Sequence, residues 1–414
     1  MPRKCYFQMQ CLCDYFWVQL TESKHRGAFE TAYASFLALA ERLWTLEPTA
    51  AAANADLPLR WLRKLVTEFI VERRWQNELS ATRRSAGLPY FIQGICATEP
   101  RHREHSALRW TLAQLFRVAE DPTAEQERKI HACNVLKALF RETKLGEASL
   151  SYAGRGLMIV MTSFTDESWG VRNAVAQLFS ALMARIFGVP RVKKEDSQQK
   201  KDRPTEEANA AATGSKNATA QRKKNCLSSQ EFFERYPNLY PFILDRLQSI
   251  SLRSPPNQDK GCPASANNTT TSCQQFWCLY PCLLLLSRLY PTVKTAASAG
   301  QKNYSYSLQP FLPPCLCLCL LCPIEKLRET SAEAVASFLQ DAISGATYAI
   351  RDLDKVLSLI ERVLSSAPSQ NQCNGALLLV SKLISWDVCD SEWNFHSRIE
   401  NILCSVALAR LKRW

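Results

Sequence analysis

The feature that most constrains the fold is an apolar pattern at three- and four-residue steps, which recurs along most of the chain. In the first such run, Phe29, Tyr33, Phe36, Leu37 and Ala40 fall on one side of a helix. No segment shows the alternation of apolar and polar residues that is typical of a strand. Glycine is scarce, with 13 in 414 residues, and the prevalence of Leu, Ala, Glu and Arg favours helix. The sequence therefore predicts an all-α protein.

The predicted helices pair at intervals of roughly 40 residues, which is the spacing of HEAT and armadillo repeats. Two segments, Val171-Arg172 and Leu327-Arg328, are each followed by small residues, as at the start of the second helix of a HEAT-like repeat. In such repeats this arginine pairs with an aspartate of the neighbouring turn, here Asp166 for Arg172, and forms a ladder along the stack. We therefore predict a HEAT/armadillo-like α-solenoid of stacked antiparallel helix pairs. The chain stops at Trp414 without the polar capping repeat that an array normally needs, so we expect a fragment of a longer array.

Composition divides the chain into three parts. Residues 1–190 and 231–414 are predicted helical repeat regions, the second with polar loops at 253–272 and 291–309. Residues 191–230 are rich in Lys, Arg, Gln, Asn, Ala and Thr, and they hold almost no large apolar side chain. Such a segment cannot bury enough surface to offset its ordering entropy. We predict a disordered basic insertion that is a solvated linker; a polybasic arm on RNA phosphates and a nuclear localisation patch are the alternatives.

Charge and cysteine usage narrow the class of protein. The formal net charge of +12 suits an anionic partner such as nucleic acid or an acidic protein face. The 17 cysteines follow no apolar signal segment, so reduced thiols in the cytoplasm, or alternatively the nucleus, are expected. The apolar runs 276–290 and 311–324 are shorter than the ~20 residues of a membrane span. We interpret both as buried solenoid helices.

A search for catalytic chemistry finds no complete site. Gly154-Arg155-Gly156 lacks the strand and helix that a nucleotide loop needs, and His102 and His105 lack further ligands for zinc. We predict that both histidines face solvent. The spacing of Cys315, Cys317, Cys319 and Cys322 could suit a metal, but leucines stand between them, which favours a buried helix with small thiols. The sequence predicts a binding protein with no catalytic residue, no metal and no cofactor site of its own.

The segment Arg83-Arg84-Ser85-Ala86-Gly87-Leu88-Pro89 is the strongest candidate for recognition. Its two arginines offer planar donors suited to carboxylate or phosphate. Ser85 to Gly87 allow another backbone to approach, and Pro89 fits the first turn of a helix. A plain helix entry with two solvated arginines is the alternative.

That segment resembles the signature of the thyroid adenoma-associated protein family, which includes the yeast regulatory subunits of a tRNA ribose methyltransferase. Further segments match in the right order, strongly from about Glu22 to Gly188 and more loosely from Phe232 onwards. One departure is Asn374, which stands where a histidine is expected. The other matching segments are His25–Glu30, Ile130–Arg141, Trp169–Asn173, Phe179–Leu182, Arg185–Gly188, Tyr280–Pro291 and Lys326–Glu329.

The resemblance implies a non-catalytic helical scaffold that positions a tRNA anticodon stem-loop. An FtsJ-like 2′-O-ribose methyltransferase would be the partner, would bind S-adenosylmethionine, and would modify the ribose at position 32. Arg83 and Arg84 would contact RNA phosphate or an acidic patch of the enzyme, and Ser85, Gly87 and Pro89 would shape the close approach. Arg172 and Asn173 are candidates of second rank. The rival hypothesis is an α-solenoid adaptor that binds only protein partners.

Overall fold

The computed structural model describes residues 11–20, 25–45, 57–72, 87–188, 225–251, 276–291, 306–339, 347–366, 369–385 and 397–404. The chain divides into two compact units, Met1–Ile186 and Phe187–Trp414. Each unit buries its own set of leucine, valine and phenylalanine side chains.

The described part of unit 1 is helical. Its central element is α4, which packs against α2, α3 and α6. The rings of Phe36 and Phe91 lie 4.1 Å apart between α2 and α4, and both side chains are fully buried. The helices, with α9 completing the series, are α1 (11–20), α2 (Arg26–Trp44), α3 (Leu57–Leu65, continued by a π-helical turn over Val66–Val71), α4 (Gly87–Ala97), α5 (Ser106–Glu120), α6 (Gln126–Arg141), α7 (Gly146–Leu150), α8 (Ala153–Ser163) and α9 (Trp169–Phe187).

Unit 2 is built from a further series of helices. Helix α14 packs against α12, α13 and α16, and α13 also packs against α16. Packing of each helix on its neighbour and on the next but one is the arrangement expected of a helical repeat array. The helices are α10 (Ser229–Arg235), α11 (Leu239–Ser251), α12 (Tyr280–Leu286), α13 (Leu312–Leu321), α14 (Glu325–Phe338), α15 (Thr347–Ser365), α16 (Gln370–Ser385) and α17 (397–404).

The structure confirms the all-α class, with helix pairs as the repeating element. The buried helices predicted within 276–290 and 311–324 are present as α12 and α13. Among the described helices, none combines the length and the apolarity that crossing a bilayer requires.

The sequence reading missed two features at the start of unit 2. The chain turns at Pro237, which separates α10 from α11. Leu227 and Ser228 pair in parallel with Leu289 and Tyr290, which is too short a strand to leave a pattern. Regular structure therefore already begins inside the predicted 191–230 insertion; residues 191–224 of that insertion lie outside the described part of the chain.

Candidate binding surface

The candidate segment Arg83–Pro89 is only partly visible. Arg83, Arg84 and Ser85 lie outside the described residues, so their predicted contacts stay predictions. Gly87 and Pro89 begin helix α4, as the sequence predicted, and both are buried. The end of the segment is therefore anchored in the core of unit 1.

Helix α4 is held by close contacts on two sides. A Cβ atom added at Gly94 would lie 3.1 Å from side-chain carbons of both Phe36 and Leu37, so α2 packs closely against α4 at this glycine. The Gln93 amide donates to the Glu142 carboxylate at 2.5 Å. Helix α4 is thus held firmly against α2 and the end of α6.

The first turn of α4 also carries an aromatic cluster, formed by Phe29, Tyr33 and Tyr90. The Tyr90 ring meets the rings of Phe29 and Tyr33 edge-on, at centroid distances of 5.3 and 5.5 Å. Burial, with the Glu142 carboxylate as the next contribution, raises the pKa of Tyr33. Tyr90 itself is 40% exposed, so the cluster keeps one aromatic edge at the surface, seven residues after Arg83.

Arg172 is used by the fold, but it contacts the main chain of Asp166 and not the predicted carboxylate. Its Nη1 donates to the main-chain carbonyls of Asp166 and Glu167, at 2.6 and 2.9 Å. The Asp166 carboxylate instead accepts from the Ser168 amide at 2.9 Å. The predicted arginine–aspartate ladder is therefore wrong here, because the arginine closes the turn before its own helix.

Arg328 repeats this geometry in unit 2. Its Nη1 donates to the carbonyls of Cys322 and Pro323 at 2.8 and 3.1 Å, which are again the residues six and five positions earlier. Its Nε donates to Asn374 Oδ1 of α16 at 3.0 Å, and the side chain is 5% exposed. Arg328 is thus a buried packing residue, and Asn374, the departure from the family pattern, is its partner.

The outer face of α9 carries a polar and aromatic stripe that includes the candidate Asn173, whereas sequence reasoning missed its other members, Trp169 and Gln177. Trp169 is 65% exposed, and Asn173 and Gln177 follow it at one-turn intervals, both exposed. Gln177 accepts a hydrogen bond from Lys137 of α6 at 2.8 Å. The signal was available, since these positions fall opposite the apolar stripe of Val171, Ala174, Val175 and Leu178.

Lys137 brings positive charge to this α9 face. Burial, with Arg141 as the second contribution, lowers the pKa of Lys137. Arg141 is exposed one turn further along α6. The exposed Trp169, with the Asn173 amide one turn away, can stack on an unpaired base and bond its edge, and it can equally anchor a protein partner.

Neither Gly154-Arg155-Gly156 nor the pair His102 and His105 forms a catalytic or metal site among the described residues. Arg155 makes two 2.5 Å bonds to the Glu120 carboxylate, and Gly156 allows Leu182 of α9 to pack closely on α8. His102 is exposed, as predicted, but His105 is half-buried. His105 has a left-handed backbone with φ 56°, and within the described residues its Nδ1 is buried without a hydrogen-bond partner. The prediction of a solvent-facing His105 is therefore wrong.

The buried thiols of Cys282, Cys315 and Cys319 are unlike those of an active site. Burial raises the pKa of Cys315, and it raises those of Cys282 and Cys319 to about 12. A nucleophilic or metal-binding thiol needs a lowered pKa. Cys319 instead donates to the Gly375 carbonyl at 3.4 Å, while Cys317, two residues away, is half-exposed. These cysteines pack α13 against its neighbours.

Stacked helix pairs with apolar side chains between them and most charged side chains outside define a class of protein, the α-solenoid scaffolds. Two family models match most of the chain: THADA/TRM732, DUF2428 over residues 5–170, and Trm732, C-terminal TPR repeats, over residues 211–383. The chain belongs to the THADA/Trm732 family. The second description specifies TPR repeats where we predicted HEAT/armadillo repeats; all three are stacks of helix pairs.

Relatives match over nearly the whole chain. A Gallus gallus protein is 35% identical over 91% of this chain and 17% of its own length. A Homo sapiens protein is 31% identical over 98% of this chain and 18% of its own length. Both are named tRNA (32-2′-O)-methyltransferase regulator THADA. A Schizosaccharomyces pombe protein, tRNA (32-2′-O)-methyltransferase regulator trm732, is 26% identical over 88% of this chain and 21% of its own length. The chain thus spans about a fifth of these relatives, which are named as regulators of an enzyme.

Proposed function

We propose that this chain is part of a regulatory scaffold for tRNA 2′-O-methylation and performs no methyl transfer itself. The observation that carries the proposal is the match, over about nine-tenths or more of the chain, to proteins named as tRNA (32-2′-O)-methyltransferase regulators. The scaffold would hold the anticodon stem-loop so that an FtsJ-like partner, which binds S-adenosylmethionine, reaches the ribose at position 32. The rate gain would come from orienting the two reactants.

The geometry supports this role through rigidity. Orientation is effective only when the contacting groups are held within a fraction of an ångström. The base of the Arg83–Pro89 segment is anchored by Gly87 and Pro89 in the core, and α4 is locked to α2 and α6. In the proposal, Arg83 and Arg84 contact RNA phosphate or an acidic patch of the enzyme.

The α9 face supplies a second contact surface on unit 1. We assign Trp169 to stacking on an unpaired base and Asn173 to a hydrogen bond with that base, since anticodon-loop bases can be splayed out. Arg172 serves mainly to hold the turn that presents Trp169, because its Nη1 is bonded to two carbonyls of that turn.

Variants of the full chain test the proposal against an adaptor that binds only proteins. We expect Arg83→Ala with Arg84→Ala to abolish stimulation of methylation and to leave the melting temperature unchanged. Trp169→Ala should weaken binding of an anticodon stem-loop by about 1–3 kcal/mol, the usual contribution of one stacked base. Tyr15→Ala is the matched control, since it removes another aromatic side chain that is 57% exposed.

Salt dependence separates the two hypotheses. RNA binding should weaken steeply as salt rises, because phosphate contacts release counterions. Affinity for a protein partner alone, with no salt-dependent RNA binding, would support the adaptor instead. A melting temperature lowered by the arginine variants would assign Arg83 and Arg84 to helix entry.

A further inference from the structure

Unit 2 contains a basic groove between α15 and α17, far along the chain from Arg83–Pro89 and from the α9 face. Its volume is about 610 Å³, and its lining includes the cations Arg351, Lys355, Arg362 and Arg398. Asp354 is the acidic residue of the lining, Ser358 is the hydroxyl, and Leu359 is the apolar side chain. The groove is therefore strongly cationic, with one apolar residue in its lining.

The cations of α15 form a straight row. At 100° per residue, positions 351, 355, 358 and 362 fall within about 60° of one another around the helix. At 1.5 Å per residue, the row from Arg351 to Arg362 extends about 16 Å. All four side chains are exposed. A row of this length can follow an extended chain of negative charges, whereas a single small anion would occupy only part of it.

Two of the cations are paired with a carboxylate, and the other two have none among the described residues. Asp354 accepts from Arg398 Nη1, and Arg398 Nη2 donates to Ser358 Oγ at 3.3 Å. Lys355 lies 3.1 Å from Asp352, which also accepts from Gln309 at 2.7 Å. Among the residues that the structure describes, the guanidinium groups of Arg351 and Arg362 have no carboxylate partner. These two arginines frame the row at its ends, and each presents a planar set of donors to solvent.

We propose that this groove binds the phosphate backbone of RNA. Arginine donors fit phosphate in a bidentate manner, and Ser358 adds a hydroxyl of the kind that commonly contacts phosphate oxygens. An acidic peptide would need apolar anchors for affinity, and Leu359 alone, half-buried, supplies little. The inference deepens the proposed function, on which it rests for the identity of the RNA, and it adds a backbone contact in unit 2.

The test is a salt titration of RNA binding by the full chain. The probes are an anticodon stem-loop and single-stranded oligouridylate. With about 0.7 counterion released per phosphate of a single strand, Arg351→Ala with Arg362→Ala should lower the salt slope by about 1.4. The loss of this counterion release predicts an affinity for RNA that is about tenfold weaker at 0.15 M salt. Arg351→Lys with Arg362→Lys should retain most of the slope, since charge is kept.

A variant of opposite sign sharpens the test. Asp354→Asn removes the carboxylate from the lining and frees Arg398, so RNA should bind more tightly and with a steeper slope. The matched control is Arg235→Ala with Lys326→Ala, which lowers the net charge of unit 2 by the same amount. Both control side chains are exposed and each is paired with a glutamate, so they should change the slope little.

Several results would refute the proposal that this groove binds RNA. An equal loss in the control would show that only net charge matters, and an unchanged slope in the groove variants would exclude the site. If the variant with Arg351→Ala and Arg362→Ala loses binding of polyglutamate but retains binding of RNA, the occupant is an acidic protein segment. If the groove variants bind RNA like the unchanged chain while Arg83 and Arg84 are still required for methylation, this inference is refuted and the proposed function stands.

Discussion

Replacing Arg328 by alanine should destabilise unit 2 far more than the same change at Arg172 destabilises unit 1. Both arginines donate to the carbonyls six and five residues earlier. Arg328 differs in having a third bond, to Asn374, and in being 5% exposed, whereas Arg172 is half-exposed. The two sites therefore form an internal comparison of one motif at two depths.

The magnitudes follow from burial. Hydrogen bonds from a charged donor contribute about 1.5–3 kcal/mol each, offset in part by the cost of burying the guanidinium. We expect Arg328→Ala to cost about 3–4 kcal/mol, because its acceptors lose a donor in a site that excludes water. For Arg172→Ala we expect about 1 kcal/mol, since solvent can replace the arginine at the two carbonyls.

Native-state hydrogen exchange of the full chain, read by mass spectrometry, can follow each unit separately. Amides of α13 and α14 should lose about 150- to 900-fold in protection in Arg328→Ala, and those of α8 and α9 about fivefold in Arg172→Ala. The cycle of Arg328→Ala with Asn374→Ala should show a coupling of about 1–2 kcal/mol. Equal losses at the two sites, or a loss below about 1 kcal/mol at Arg328, would refute the reasoning from burial.

Two further predictions concern packing. Gly375→Ala would place a Cβ atom 2.0 Å from the Cys319 carbonyl oxygen, so α13 and α16 must separate at a cost of about 3 kcal/mol. The control is Gly27→Ala, on an exposed helix position beside the His25 ring. It should change the unfolding free energy by less than about 1 kcal/mol. Denaturant titration of both variants measures this difference, and equal effects would contradict it. Iodoacetamide at pH 8 should label the exposed Cys11 and Cys404 first, because a thiol with a pKa of about 12, such as Cys282 or Cys319, is ionised to only about one part in ten thousand. Peptide mapping checks the order, and early labelling of Cys282 or Cys319 would contradict the packing described for α12 and α13.

The sequence was informative where local periodicity decides structure. The helices around Phe36, Leu112 and Leu357, and the start of α4 near Pro89, follow from apolar spacing and helix-entry residues. The burial of Cys315 and Cys319 followed from the leucines between them. These features depend on residues that are close together along the chain, so they can be predicted from one sequence.

Features that depend on distant partners could not be predicted in this way. The Leu227–Leu289 pairing and the contact of Arg328 with Asn374 join residues 62 and 46 positions apart. The basic groove requires α17 to pack beside α15, and periodicity does not specify that neighbour. By contrast, two missed features could have been predicted from the sequence. Pro237 breaks a helix, and Trp169 lies outside the apolar stripe of α9.

The central claim is tested most directly by reconstituting ribose methylation at position 32 with the family's partner methyltransferase, S-adenosylmethionine and a tRNA transcript, with and without this chain. The account predicts that the chain co-purifies with the enzyme, that methylation depends on it, and that the Arg83/Arg84 double variant loses the stimulation. Methyl transfer by the chain without the enzyme would contradict the scaffold role. A chain that neither binds the enzyme nor alters methylation would contradict the account as a whole and favour an adaptor for other proteins.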